Sequence, residues 1–139
     1  MRLNGVERAV TLAVFDAVLP GLAGGAPAAR DHDLIGAHER MLGAMPRVQA
    51  LGFRAAFVVA ELALPLLTLG RARRFSRLAQ AERVEALTRV VHHRVYLVRQ
   101  LGLLFKTAAG FAYFQQDGVR AHFGLPPVAD PGVEPRRRA

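Results

Sequence analysis

Apolar residues recur at helical spacing along most of this chain, and the alternating pattern of a half-buried strand appears nowhere. The length of 139 residues suits a single domain. Cysteine is absent, which excludes a disulfide framework, thiolate catalysis and cysteine-ligated metal sites. The sequence therefore predicts an all-α fold, a single compact bundle of about five helices plus a short C-terminal helix. We expect the helical domain over residues 1–125 and a disordered, Pro/Arg-rich tail over 126–139.

Capping residues, prolines and glycines indicate where the predicted helices begin and end. Asn4 and Glu7 form a capping-box pattern at the start of the chain, and a Gly/Ala-rich loop follows the first helix over 20–30. Pro65 is expected to end or kink the third helix, and Gly70 to close it. The predicted helices run from Asn4 to Leu19, from Asp31 or Asp33 to Met45, from Pro46 to about Leu64, from about Ala79 to His92, from about Val95 to Phe114, and from Asp117 to Gly124.

The predicted fifth helix is apolar around most of its circumference. One face comprises Leu97, Leu101, Leu104, Phe105, Ala108, Phe111 and Ala112, and the other side carries Leu103, Gly110 and Phe114. A helix of this kind either lies at the centre of a core or is covered by another chain. We therefore expect the chain to keep apolar surface that a second macromolecule covers.

The most hydrophobic stretch, Ala55–Leu69, favours a core helix over a membrane span. It has roughly fifteen residues where a span needs about twenty, and Glu61 and Pro65 interrupt it. The N-terminal segment imitates a signal peptide only loosely, because Glu7 and Asp16 lie inside its apolar part. We expect a cytoplasmic protein and leave open its association with a membrane surface.

The chain is strongly basic, with a formal net charge of +8, and Lys106 is its only lysine. The densest basic cluster of the body comprises Arg71, Arg73, Arg74 and Arg77, with Phe75 among them. This cluster is either a solvated loop, a surface that docks to an acidic protein, or a nucleic-acid site. No helix-turn-helix or RNA-binding signature surrounds it, so nucleic acid is the least expected of these partners.

The titratable residues suggest no assembled catalytic, cofactor-binding or metal site. His92 and His93 are adjacent and point about 100° apart on a helix, so they cannot easily share one ion. Glu61 lies in an apolar segment and is the one candidate for a general acid or base. Its structural alternative is a partly buried acid paired with an arginine such as Arg54 or one from a neighbouring helix.

Two stretches of the chain resemble a known family of small subunits. Residues 12–20, LAVFDAVLP, followed by a Gly/Pro loop, are similar to the start of gluconate 2-dehydrogenase subunit 3. Residues 75–125 are similar to the segment before the flavin domain of long-chain alcohol oxidases and to the small subunit of related bacterial dehydrogenases. The shared landmarks are Phe75-x-x-Leu78, Glu82–Arg83, Phe105–Lys106, Tyr113–Phe114, Asp117 and Gly124.

This resemblance implies a non-catalytic accessory subunit that binds and stabilises a flavoprotein of the glucose–methanol–choline class, an alcohol dehydrogenase or oxidase. The larger partner would hold the FAD, and this chain would hold no cofactor. Relatives of the subunit-3 type often carry a twin-arginine export signal, and the first ten residues contain no twin-arginine pair. The residues predicted to bind the partner are Arg71, Arg73, Arg74, Phe75, Leu103, Lys106, Tyr113 and Phe114.

Two other functions stay open at this point. The first is a basic helical module that binds an anionic membrane or nucleic acid through its positive charge. The second is a small enzyme that uses Glu61 in an apolar pocket.

Overall fold

A computed structural model describes residues 1–19, 27 and 32–129 of the chain. Within these residues there are six α-helices, one short 3₁₀-helix and no strand, so the predicted all-α fold is confirmed. The α-helices are α1 (Gly5–Val18), α2 (Leu34–Ala44), α3 (Arg47–Leu69), α4 (Gln80–Val91), α5 (Tyr96–Phe114) and α6 (Asp117–His122), and the 3₁₀-helix (Phe75–Arg77) lies between α3 and α4.

Side-chain caps begin the first two helices as the sequence predicts. The Asn4 side chain accepts the Glu7 backbone N–H at 2.9 Å, and the Glu7 carboxylate accepts the Asn4 N–H at 2.8 Å. Asp33 caps α2 by accepting the Gly36 N–H at 2.8 Å. Asp31, the other candidate cap, lies outside the described residues. So does the predicted loop over 20–30, apart from residue 27.

The third helix continues through Pro65, beyond the end that the sequence predicts near Leu64. Proline costs one backbone hydrogen bond inside a helix. Leu64 and Pro65 are both buried, however, and their packing against neighbouring helices outweighs the local cost of proline. One turn later the Thr68 hydroxyl donates to the Leu64 carbonyl at 2.6 Å. Gly70 then ends the helix with a φ of 66°, a left-handed conformation that favours glycine.

Aromatic rings from three helices form the centre of the core. The ring of Phe57 on α3 lies 6.1 Å from Phe15 on α1 and 5.0 Å from Phe105 on α5, measured between centroids. All three side chains are buried. Offset and edge-on aromatic contacts of this kind add to the free energy of burying the rings. They fix α3 with one long side against the core and the opposite side facing solvent.

His38 on α2 belongs to the same buried cluster. Its ring centroid lies 5.5 Å from Phe15 and 5.2 Å from Phe57, and its Nδ1 has no hydrogen-bond partner among the described residues. Burial lowers the pKa of His38 to about 4, against a smaller opposing effect of the Glu39 carboxylate. The imidazole is therefore neutral at pH 7.

The chain after α6 has no regular structure over residues 125–129. Arg120 Nε donates to the Pro126 carbonyl at 2.5 Å, and the Val128 N–H donates to the Asp117 carboxylate at 3.2 Å. The first residues of the predicted tail thus contact α6. The rest of that tail, 130–139, lies outside the described residues.

Candidate partner-binding surface

The eight residues predicted to bind a partner do not form one surface. Phe75 and Tyr113 are core residues, with almost no exposed side-chain area, so they cannot offer their rings to a partner. The Tyr113 hydroxyl donates to the Pro27 carbonyl at 2.8 Å, and burial raises the pKa of this tyrosine. These two aromatic landmarks therefore reflect internal packing.

Three of the predicted residues lie on the arginine-rich connector after α3. Arg71 forms an ion pair with Glu82 near the start of α4. Arg73 and Arg74 are exposed and have no carboxylate partner within the described part of the chain. Arg77, also on the connector, is exposed and unpaired within the described residues as well. The connector is thus neutralised at one arginine and keeps its positive charge at three.

The remaining three, Leu103, Lys106 and Phe114, lie on the outer face of α5. Leu103 is exposed, and so is Phe114, whose ring makes an edge-on contact with Tyr113 and a tilted contact with Phe123 at centroid distances of 5.5 and 5.6 Å. Lys106 interrupts this outer face with a charge.

The inward face predicted for α5 is only partly correct. Phe105, Ala108 and Ala112 are buried, but Leu97 and Phe111 are exposed. No neighbouring helix covers these two side chains fully. The other helices of this chain therefore leave part of α5 uncovered.

The partner predicted for Glu61 is wrong. Arg54 binds Glu7 instead, with Nε 2.7 Å from Oε1 and Nη2 2.9 Å from Oε2, and this contact lowers the pKa of Glu7. Glu61 is buried and accepts both the N–H and the hydroxyl of Ser76, at 2.9 and 2.5 Å. Its carboxylate therefore anchors the 3₁₀-helix of the connector to α3.

Sequence reasoning missed a continuous exposed apolar face on α3, because it treated this helix as a core element. The face comprises Val48, Leu51, Gly52, Ala55, Val59, Leu62 and Leu66, all of which are exposed. Leu62 has 62% of its area exposed, and Val48 has 83%. The face contains no charged residue and extends over residues 48–66, a length of about 27 Å at a rise of 1.5 Å for each residue. We call these seven residues the α3 outer face.

The spacing of this face is typical of a seam between two packed helices. Positions 48, 52, 55, 59, 62 and 66 are separated alternately by four and three residues. Such alternation keeps side chains on one line along a partner helix. A sequence signal was available here too, because α3 is apolar on two opposite sides, but periodicity does not say which side meets the rest of the chain.

By length and composition α3 could also cross a membrane, although 39% of its most apolar window is buried inside the structure. Long core helices of other proteins have the same composition, so this finding by itself carries little weight.

An apolar groove of about 300 Å³ lies between α2, α5 and the N-terminal half of α3. It is lined by Met41, Ala44 and Met45 on or next to α2, by Phe53 on α3, and by Thr107, Ala108 and Phe111 on α5. Consecutive helix residues point about 100° apart, so Phe53 lies on the inner side of α3 and the groove is separate from the outer face. Methionine side chains adapt to irregular apolar shapes, which suits an inserted side chain.

A second cavity, of about 180 Å³, lies between α1, α4 and α5. Its lining is apolar except for Thr88, His92 and Lys106, all exposed. The Thr88 hydroxyl donates within its own helix, to the Val84 carbonyl at 2.8 Å. Elsewhere in the described ranges, no group of three His, Asp or Glu side chains is placed to hold a metal ion.

Comparison of the chain with protein families, with curated proteins and with solved structures finds no match. The expected kinship with small dehydrogenase subunits therefore rests on the sequence landmarks alone.

Proposed function

We propose that this chain is a non-catalytic accessory subunit that binds a larger protein through the α3 outer face. The observation that carries the proposal is the face itself, which exposes apolar side chains over about 27 Å without one charge. Exposed apolar patches of this extent are uncommon on monomeric proteins and mark interaction surfaces. Removing them from water is the main driving force of stable association.

The element of the partner that fits this face best is an α-helix. The alternating spacing of four and three residues is the pattern of helix-on-helix packing. Gly52 and Ala55 are small, so the axis of a second helix can approach α3 closely there.

Charge favours a different protein over a second copy of this chain. Arg47 precedes the α3 outer face, and Arg73 and Arg74 follow the end of the helix, none with a carboxylate partner in the described ranges. Two copies of α3 would bring like charges together whether they pack parallel or antiparallel. A different protein, without arginines at the two ends of its helix, avoids this repulsion.

The resemblance described above supports an FAD-dependent alcohol dehydrogenase or oxidase of the glucose–methanol–choline class as this partner. In that assignment the flavoprotein binds FAD and performs the chemistry, and this chain stabilises it in the cytoplasm. The accessory chain would contribute buried area, and a stable complex of this type buries more than about 1,200 Å² in total.

Co-expression with a flavoprotein of that class encoded next to this chain tests the proposal. We expect a yellow complex with the natural chain, and about a hundred-fold weaker binding with Leu62→Glu, which places a charge at the centre of the face. The matched control is Leu12→Glu, which puts the same charge on an exposed leucine of α1 and should leave the complex intact.

Two outcomes would count against different parts of the proposal. If Leu62→Glu and Leu12→Glu both keep the complex, the α3 outer face is not the interface. If the natural chain binds no flavoprotein, the assignment of the partner is wrong.

A further inference from the structure

We propose that the end of the bundle where α3 stops and α5 begins binds the surface of an anionic lipid bilayer. We define this arginine end by three exposed cations, Arg73, Arg74 and Arg94, and three exposed apolar side chains, Leu67, Tyr96 and Leu97. This inference is independent of the partner proposed for the α3 outer face.

Most of the net positive charge of the described residues lies in 66–100, the segment that contains the arginine end. Residues 66–100 contain eight arginines and two glutamates, a net charge of +6. Both glutamates are already used, Glu82 by Arg71 and Glu85 by Arg89. Arg73, Arg74 and Arg94 therefore keep their full charge for an external anion, as far as the described residues show.

Contacts between helices place Leu67, Arg94, Tyr96 and Leu97 near one end of the molecule. The connector that carries Arg73 and Arg74 leaves from this end after Gly70 and then runs back along α4, where Arg71 pairs with Glu82. Arg89 near the end of α4 donates to the Thr68 carbonyl in the last turn of α3, at 2.6 Å. The turn after α4 is short, because α4 ends at Val91 and α5 begins at Tyr96. The end of α3 and the start of α5 thus lie beside the same end of α4.

The turn that carries Arg94 is held by a neighbouring arginine. Arg99 Nη1 donates to the carbonyls of His93 and Arg94, at 2.7 and 3.1 Å. The Arg99 guanidinium also lies 5.7 Å from the centroid of the Tyr96 ring. The cations and the exposed tyrosine are therefore presented by an ordered segment.

Apolar side chains distinguish the arginine end from a simple basic patch. Leu97 is 72% exposed, and Leu67 and Tyr96 are each more than half exposed. A bilayer surface satisfies both kinds of residue, because lipid phosphates bind arginine while leucines reach the acyl boundary and tyrosine stays among the headgroups. Nucleic acid would pair the arginines and leave the leucines in water.

A tryptophan reporter tests this assignment, since the chain contains no natural tryptophan. The full-length Tyr96→Trp variant is mixed with phosphatidylcholine vesicles or with vesicles that also contain phosphatidylglycerol. We expect a blue shift of its fluorescence with the anionic vesicles only. Leu62→Trp is the control on the α3 outer face, and adding vesicles should not change its emission.

Neutralising the cations measures their share of the binding. The triple variant Arg73→Gln, Arg74→Gln, Arg94→Gln should bind anionic vesicles roughly a hundred-fold more weakly, because each arginine near an anionic surface contributes about five-fold. The matched triple lysine variant keeps the charge and should bind like the natural chain. All three positions are exposed, so circular dichroism should show unchanged folding in both variants.

Four results would overturn the proposal. These are equal binding to neutral vesicles, no binding to either vesicle, a vesicle-dependent shift in Leu62→Trp instead of Tyr96→Trp, and a loss in the lysine triple as large as in the glutamine triple. The last result would indicate the two-pronged contacts that arginine makes with carboxylates of an acidic protein. No protein partner takes part in the assay, so its failure is separate from that of the α3 interface.

Discussion

The α3 outer face and the arginine end adjoin each other along one helix, yet they differ completely in charge. The face has no ionisable group over about 27 Å, whereas residues 66–100 carry a net charge of +6. Burying apolar surface removes it from water, and the free energy gained in this way hardly depends on salt. Attraction between arginines and phosphates is long-ranged and weakens as salt screens it. The two regions therefore suit two kinds of partner.

The two sides of α3 provide the sharpest test of this comparison. Leu64 faces the core and is buried, while Leu62, two residues earlier, is exposed. Leu64→Ala should lower the free energy of unfolding by about 3 kcal/mol through lost burial and a cavity. Leu62→Ala should change it by less than about 0.5 kcal/mol. Urea denaturation of the isolated chain measures both, and equal losses would mean that the outer face is already covered.

Acid should weaken the core that holds both surfaces in place. The folded-state pKa of His38 is about 4, below the unfolded value of 6.5, so the unfolded chain binds this proton first. Stability is therefore complete above pH 6.5 and falls by up to about 3 kcal/mol as the pH drops to 4. Denaturation at a series of pH values should show this slope in the natural chain.

The His38→Phe variant is the control, because it removes the titrating group and keeps an aromatic ring beside Phe15 and Phe57. In this variant, the fall in the free energy of unfolding between pH 6.5 and 4.5 should largely disappear. Glu7 contributes only at lower pH, since its pKa is lowered by Arg54 and its stabilisation is lost as that carboxylate is protonated. A slope unchanged by His38→Phe would contradict a neutral, buried imidazole.

Glu61 connects the two regions, because it holds the arginine connector against α3. Glu61→Gln should lower the free energy of unfolding by about 2 kcal/mol, since the amide cannot accept from both donors of Ser76. Ser76→Ala removes only the hydroxyl and should cost about 1 kcal/mol. If the two losses add fully in the double variant, the contact between these residues is not what stabilises the connector.

Salt should affect binding at the two regions differently, and this is the smallest effect that we expect. Raising the sodium chloride concentration should weaken vesicle binding at the arginine end several-fold, because screening shortens the reach of its charges. Association through the α3 outer face should stay the same or strengthen. Vesicle sedimentation and gel filtration of the complex at two salt concentrations measure the two responses. A parallel loss would show that one surface serves both partners.

Much of the fold could be predicted from local sequence signals. The capping box at Asn4, the glycine at position 70 and helical periodicity each depend on a few neighbouring residues, so they appear in the structure as predicted. The sequence predicts that Pro65 ends or kinks the third helix, and the predicted end is wrong because α3 continues to Leu69. Where the helix ends depends on burial of the last turns of α3, which involves residues far away in the chain.

The candidate site was less predictable, because apolar residues on two sides of a helix do not show which side meets solvent. The sequence suggested that α5 lacks cover, and the structure places the charge-free exposed face on α3. The same limitation applies to Arg54 and Glu61, since the partner of a buried charge is set by where other helices cross.

Helix positions, the absence of thiol chemistry and the positive charge follow from the residues themselves, because each depends on composition or on neighbours within a few positions. Only the packing of the helices decided which apolar stripe is covered. It also decided which arginines keep an unneutralised charge. Covering one stripe of α3 leaves the other in water, and pairing Arg71 leaves its neighbours unpaired. Contacts of this kind join residues that are distant in the chain, and local patterns carry no record of them.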